Sequence, residues 1–186
     1  MFNYFEAASS MIKEVGVKPE VALILGSGLG YLTGEFQGGV SVDYSKIQGF
    51  PVSTVKGHSG RFVFGSFHDI PSVAMEGRFH FYEGHEIKDV VSPIYLFKEM
   101  GIERLLITNA SGGINRTYSP GDIVAIKDII NLGFRNPLIG PNDDRFGVRF
   151  PDMSSVMDFQ WLSGLRERLS QDGRELKEGT YIWALG

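Results

Sequence analysis

The chain has no cysteine, which excludes disulfides and thiolate metal sites. It has no apolar run of about 18 residues, the length a membrane span needs, so no membrane contact is expected. The first 15 residues carry Glu6, Lys13 and Glu14 and hold no apolar stretch of signal-peptide length, which fits a cytoplasmic protein. Positive charge is not in excess: 18 Lys and Arg stand against 22 Asp and Glu, a formal net charge of −4. General nucleic-acid binders carry a basic stripe, so that class is excluded. His58, His68, His80 and His85 show no metal-ligand spacing with one another or with nearby acids, and no catalytic metal is expected. No repeat, low-complexity tract or flexible linker divides the 186 residues, so one α/β domain over 1–186 is expected.

Glycine is plentiful instead, with 24 residues placed at turns between periodic segments. The spacing of Phe5, Ala8, Ile12 and Val15 predicts an amphipathic helix over about 3–15. Residues 21–25 read as a buried strand, followed by a short helix near 29–36 and another strand near 40–47. Residues 61–67 and 72–76 read as a hairpin around His68-Asp69-Ile70-Pro71. Residues 86–100 read as a helix with Pro93 in its first turns, closed by Gly101. Strands are expected at 104–108, 123–126 and 180–185, and a helix at about 155–170. The stretch 131–151 is too long for an idle connection and reads as a binding or assembly loop. An apolar strand as the last residues raises the expectation that the polypeptide is cut short after Gly186.

Two glycine-rich turns each follow a short apolar run: Gly26-Ser27-Gly28-Leu29-Gly30, and Asn109-Ala110-Ser111-Gly112-Gly113. Strand ends of this kind leave backbone N–H groups free to face an anion. Two of them side by side in one sheet would cradle a small phosphate. Taken alone, the first turn lacks the spacing of a dinucleotide fingerprint, a nucleotide P-loop or a nucleophile elbow, and reads as a plain strand–helix turn. Residues 77–84, Gly-Arg-Phe-His-Phe-Tyr-Glu-Gly, are more informative. Arg78, His80 and Tyr82 alternate, so an extended segment would project all three to one side. Arginine offers a fixed fork of donors for phosphate oxygens, histidine a further donor, and tyrosine a flat face and a hydroxyl suited to a sugar. The alternative is a solvated loop with a salt bridge to Glu83. His58, between glycines, reads by itself as a surface turn.

The segments 25–30 (LGSGLG), 56–65 (KGHSGRFVFG), 76–84 (EGRFHFYEG), 108–115 (TNASGGIN) and 140–150 (GPNDDRFGVRF) resemble, in the same order, those of the trimeric purine nucleoside phosphorylases. The resemblance runs from Val21 to Gly186 and covers the N-terminal two thirds of a family member. It implies a phosphorylase-like three-layer α/β sandwich with a mixed, partly barrel-like central sheet. It implies phosphorolysis of purine ribo- and deoxyribonucleosides to the free base and the pentose 1-phosphate, in purine salvage. Inorganic phosphate is then a co-substrate, no metal or organic cofactor takes part, and the full-length assembly is a homotrimer.

Carried over by position, Ser27, Arg78, His80, Ala110 and Ser111 resemble the phosphate site. Tyr82 resembles the ribose-binding tyrosine, and His58 the loop histidine near sugar and phosphate. His58 and His80 are the residues expected to serve the reaction most directly. Phe150 resembles the phenylalanine that a neighbouring subunit lays over the sugar. The family's base-binding residues fall beyond Gly186, so base preference is not legible here, although the branch implies inosine and guanosine. The 186-residue piece is therefore expected to be very weak or inactive as a catalyst while binding phosphate or intact subunits. A methylthioadenosine phosphorylase is the lesser alternative.

Overall fold

The computed structural model describes residues 2–52 and 60–184. They group into two compact units, Met1–Ala110 and Ser111–Gly186, each taken by itself below. Among the described residues no helix is long and apolar enough to cross a membrane.

The first unit is built on a five-stranded mixed sheet. Its strands are β1 (Val21–Ile24), β2 (Gln37–Asp43), β3 (Arg61–Phe67), β4 (Ile70–Glu76) and β5 (Arg104–Ile107), in the order β2-β3-β4-β1-β5. β2 pairs antiparallel with β3 and β3 with β4, whereas β4, β1 and β5 run parallel. The β3–β4 hairpin turns on two residues only, His68 and Asp69, both at positive φ (48° and 64°). That is the left-handed geometry tight hairpins favour. Ile70 and Pro71, expected in the turn, belong to β4 instead.

Helix α1 (Tyr4–Val15) starts where the Asn3 side chain accepts from the Glu6 N–H at 3.2 Å. The expected helix over 86–100 forms as α2 (Ile87–Val90) and α3 (Ser92–Glu99), interrupted at Val91 just before Pro93, whose missing N–H favours a fresh helix start. Ala8, Met11 and Val15 of α1 and Leu96, Phe97 and Met100 bury one sheet face with Phe62, Phe64, Val73 and Met75. Leu23, Leu25, Val63 and Ala74 face the other way, under Phe36 and Phe67. Both faces of β1, β3 and β4 are therefore apolar, as layered α/β folds require, whereas β2 and β5 at the sheet edges are largely exposed. The helix expected at 29–36 is a 3₁₀ segment, Gly30–Glu35, and the strand expected at 40–47 lies at Gln37–Asp43, followed by a 3₁₀ turn at Tyr44–Lys46.

In the second unit β6 (Val124–Asn131) pairs in parallel with β7 (Lys177–Trp183); β6 runs on beyond its expected end at 126, and β7 begins three residues before its expected start at 180. Between them, residues 132–158 hold no helix or strand, and α4 (Phe159–Gln171) follows. The Asp158 carboxylate caps α4 by accepting from the Gln160 and Trp161 N–H groups at 3.0 Å each. Ala125, Leu169 and Leu176 form its small core. Asp122, just before β6, pairs with Lys177 of β7 at 2.7 Å.

Candidate functional site

Because β4, β1 and β5 are parallel neighbours, their C-terminal ends share one edge of the sheet. Ligands of open α/β sheets bind outside such ends. β1 leads into Gly26-Ser27, β5 into Thr108-Asn109-Ala110, and β4 into Gly77-Arg78. The Gly26 N–H donates to Thr108 Oγ1 at 2.8 Å, and the Thr108 N–H donates to the Ile24 carbonyl at 3.0 Å. A Cβ on residue 26 would stand 2.7 Å from the Thr108 carbonyl oxygen and 2.9 Å from Asn109 Cα, so only glycine lets the two ends close. The two glycine-rich ends do lie side by side, as the sequence implies. The hydroxyl that fastens them is that of Thr108. Ser27 and Ala110 are exposed at this edge.

Arg78 joins these ends from the other side. After β4 the chain turns at Gly77 (φ 96°), whose carbonyl accepts from the Tyr44 hydroxyl at 2.7 Å. One Arg78 terminal nitrogen donates to the Thr108 carbonyl at 2.9 Å, across the end of β1. Its Nε donates to His80 Nε2 at 3.1 Å. His80 Nδ1 lies 2.6 Å from Glu83 Oε1, which also accepts from the His80 backbone N–H at 2.9 Å. This pattern places a ring proton on Nδ1 and leaves Nε2 as the acceptor from Arg78. The Tyr82 ring stacks on His80, with centroids 4.7 Å apart and planes 18° from parallel.

Arg78, His80 and Tyr82 thus cluster. The segment is not plainly extended, since Phe81–Glu83 is a 3₁₀ turn and Tyr82 reaches His80 by stacking. Tyr44 is buried, and burial first, then the charge of Glu76, push its phenol pKa far above the ordinary value. It remains a neutral donor that fixes the peptide preceding Arg78.

Ser27, Arg78, His80, Tyr82 and Ala110 all belong to the first unit. Ser111 opens the second unit and is exposed. Phe150 lies in the 132–158 stretch of that unit, exposed, with the Arg149 guanidinium 5.7 Å from its ring centroid. His58 lies outside the described residues. In the sequence Glu83 figures only as the salt-bridge partner of the alternative, solvated loop, whereas its side chain is only 3% exposed and holds His80. The three-residue step from His80 to Glu83, a helix-capping spacing, was the available signal. Thr108 and Tyr44 were also missed; a hydroxyl closing an apolar strand is the only hint of the former.

Residues 20–186 match the Phosphorylase superfamily. Purine nucleoside phosphorylase 1 of Bacillus subtilis is 44% identical over the whole chain and 69% of its own length. Purine nucleoside phosphorylase of Rattus norvegicus is 48% identical over 99% of the chain and 65% of its own length. The chain belongs to the phosphorylase superfamily, among the purine nucleoside phosphorylases. It spans about two thirds of the length of the relatives it matches. The crystal structure of isoform 2 of purine nucleoside phosphorylase from Schistosoma mansoni, in complex with cytosine and ribose-1-phosphate, superposes with a TM-score of 0.93 at 40% identity, covering 99% of this chain and 66% of that one. The mixed α/β architecture is therefore that of a purine nucleoside phosphorylase, and among the described residues its sheets are open.

Proposed function

We propose that this chain serves the phosphorolysis of purine nucleosides, holding inorganic phosphate at the joined ends of β4, β1 and β5. The observation that carries this reading is the Arg78 guanidinium, spanning from His80 Nε2 to the Thr108 carbonyl beside the glycine-rich turn at Ser27. Arg78 supplies the positive charge, and Ser27 and Ala110 supply a hydroxyl and a backbone N–H; the further hydroxyl of Ser111 is assigned by the resemblance alone. His80 Nε2 accepts from Arg78 in the arrangement described. A protonated phosphate oxygen can replace Arg78 as donor to that lone pair, which turns the guanidinium toward the remaining oxygens.

In the reaction, a phosphate oxygen bonds to the anomeric carbon as the C1′–N9 bond breaks. The bonding pair leaves with the purine, which takes up a proton. Cleavage builds oxocarbenium-like charge on the sugar, and a phosphate dianion held beneath it stabilises that charge before bonding to it. Tyr82, exposed and stacked on His80, offers its ring and hydroxyl to the pentose, ribose or deoxyribose, and the resemblance alone assigns His58 to the same sugar. Phe150, exposed in the 132–158 stretch, covers the sugar of a neighbouring subunit in a homotrimer. No metal or organic cofactor is required, because phosphate is itself the nucleophile.

Two measurements test the reading. Calorimetry with inorganic phosphate is expected to show binding to the native chain, weakened at least tenfold by Arg78→Ala, since a lost charge-assisted pair is worth about 1.5–3 kcal/mol. Unchanged phosphate affinity in Arg78→Ala removes Arg78 from the site. Inosine and orthophosphate, followed by release of hypoxanthine and ribose 1-phosphate, test turnover. Binding without turnover keeps the phosphate half of the proposal and rejects catalysis by this chain alone.

A further inference from the structure

Among the described residues, one buried side-chain polar atom has no hydrogen-bond partner: Nε2 of His85. It lies 3.7 Å from Oε2 of Glu83, the carboxylate whose other oxygen holds His80 at 2.6 Å. The Glu83 side chain is 3% exposed and that of His85 is 15% exposed. The His85 ring is held by Phe79, edge to face, with centroids 5.4 Å apart and planes 70° apart. This contact holds the plane of the ring, and in the structure its Nε2 is the atom that meets the carboxylate.

A lone pair on Nε2 facing a buried carboxylate would be repelled, and both groups would be desolvated without compensation. A proton on Nε2 makes the same approach attractive, and closing the gap by somewhat under an ångström turns it into a charge-assisted hydrogen bond. Glu83 then sits between two imidazoles. Its Oε1 takes the Nδ1 proton and the backbone N–H of His80, and its Oε2 takes the Nε2 proton of His85.

We propose that His85 is a positioning residue for the phosphate-binding histidine: it holds the second oxygen of the buried Glu83 carboxylate, so that the first stays on His80 and keeps Nε2 of that ring facing the anion. This rests on the phosphate reading of the site, and it extends that reading by one residue that touches neither phosphate nor sugar. Removing the His85 donor frees Glu83 to rotate, and the His80 ring loses its fixed orientation.

Nitrogen-15 NMR of the native chain reads the geometry without any ligand, and the expected result is a protonated Nε2 on His85. A His85 ring protonated only at Nδ1 overturns the proposal. Calorimetry with inorganic phosphate reads the consequence. His85→Phe keeps the ring contact with Phe79 and removes the donor, and is expected to weaken phosphate binding about tenfold. His85→Gln, which restores an N–H toward Glu83, is expected to recover most of that loss. In a Glu83→Gln background, His85→Phe is expected to change phosphate affinity little, because the two act through one carboxylate.

Native affinity in a folded His85→Phe chain, or an equal loss with and without Glu83, overturns the proposal. A loss that His85→Gln does not rescue does so as well. Absence of phosphate heat from the native chain sinks the underlying site reading instead, and is recognised because it needs no substitution to appear.

Discussion

Tyr44→Phe separates the hydroxyl of a buried tyrosine from its ring. The ring packs at centroid distances of 5.7 Å to Phe50, 4.8 Å to Phe62 and 5.3 Å to Phe79, and phenylalanine keeps those contacts. What disappears is the donor to the Gly77 carbonyl at 2.7 Å. Loss of one partner from a buried pair costs about 1–3 kcal/mol, so the variant is expected to unfold several degrees lower. Phosphate binding should weaken too, because Gly77 sets the direction in which Arg78 leaves β4. The alkaline limb gives an independent check. Burial raises the Tyr44 pKa in the folded chain, so below about pH 10 both folded and unfolded states keep the proton. Above about pH 10 only the unfolded state releases it, and the native chain loses about 1.4 kcal/mol of stability per pH unit through this residue. Tyr44→Phe has no such loss, so its deficit against the native chain should shrink as pH rises. Denaturant titrations at pH 7, 9 and 11 with phosphate calorimetry at pH 7 would measure all three effects. Equal stability and equal phosphate affinity at pH 7 would refute the reasoning.

Gly26→Ala pushes a methyl group against the Thr108 carbonyl at 2.7 Å, and should cost about 1–3 kcal/mol in denaturant titrations while weakening phosphate binding. Asp122→Asn probes the surface pair with Lys177, whose hydrogen bond holds the Asp122 carboxyl below its ordinary pKa. A lowered folded pKa gives stability that is present above the unfolded value of about 3.9 and lost as pH falls through the folded one. Thermal melts of Asp122→Asn should therefore differ slightly from native at neutral pH and converge with it in acid; a constant offset at every pH would count against the pair. Glu83→Gln keeps an acceptor for His80 but removes the charge, and calorimetry should find phosphate bound about tenfold more weakly, with unchanged affinity arguing against the Glu83–His80 link.

The apolar run at 21–25 was legible because β1 is a central parallel strand buried on both faces, whereas the run at 104–108 forms β5 at the sheet edge, with Leu106 and Ile107 exposed. The glycine-rich ends were legible because small residues at a strand terminus have few other uses. Element boundaries were less so. Val91 ends α2 only through the geometry at Pro93, and β6 runs on to Asn131 through exposed isoleucines that its pairing with β7, not burial, holds extended. In the site, Arg78 and His80 announce themselves by type. Glu83 and Tyr44 do not, because a glutamate in a loop and a tyrosine after a strand are ordinary surface residues by composition. Only the fold places Glu83 at 3% exposure against His80, and Tyr44 against Gly77.

That buried acid bears on how a chain of net charge −4 holds an anion. A carboxylate beside a phosphate would repel it strongly at low dielectric. Here the imidazole of His80 stands between them, with Nδ1 on Glu83 and Nε2 on Arg78. The order is carboxylate, ring, guanidinium, so the positive member is the one directed to the strand ends. Each hydrogen bond in such a chain polarises the next, and the negative charge of Glu83 strengthens the grip on the ring. Exchange of Glu83 for a neutral residue should therefore weaken phosphate binding even though it removes a negative charge from the neighbourhood. A model of the site based on net charge alone demands the opposite sign, and the calorimetry of Glu83→Gln decides between them.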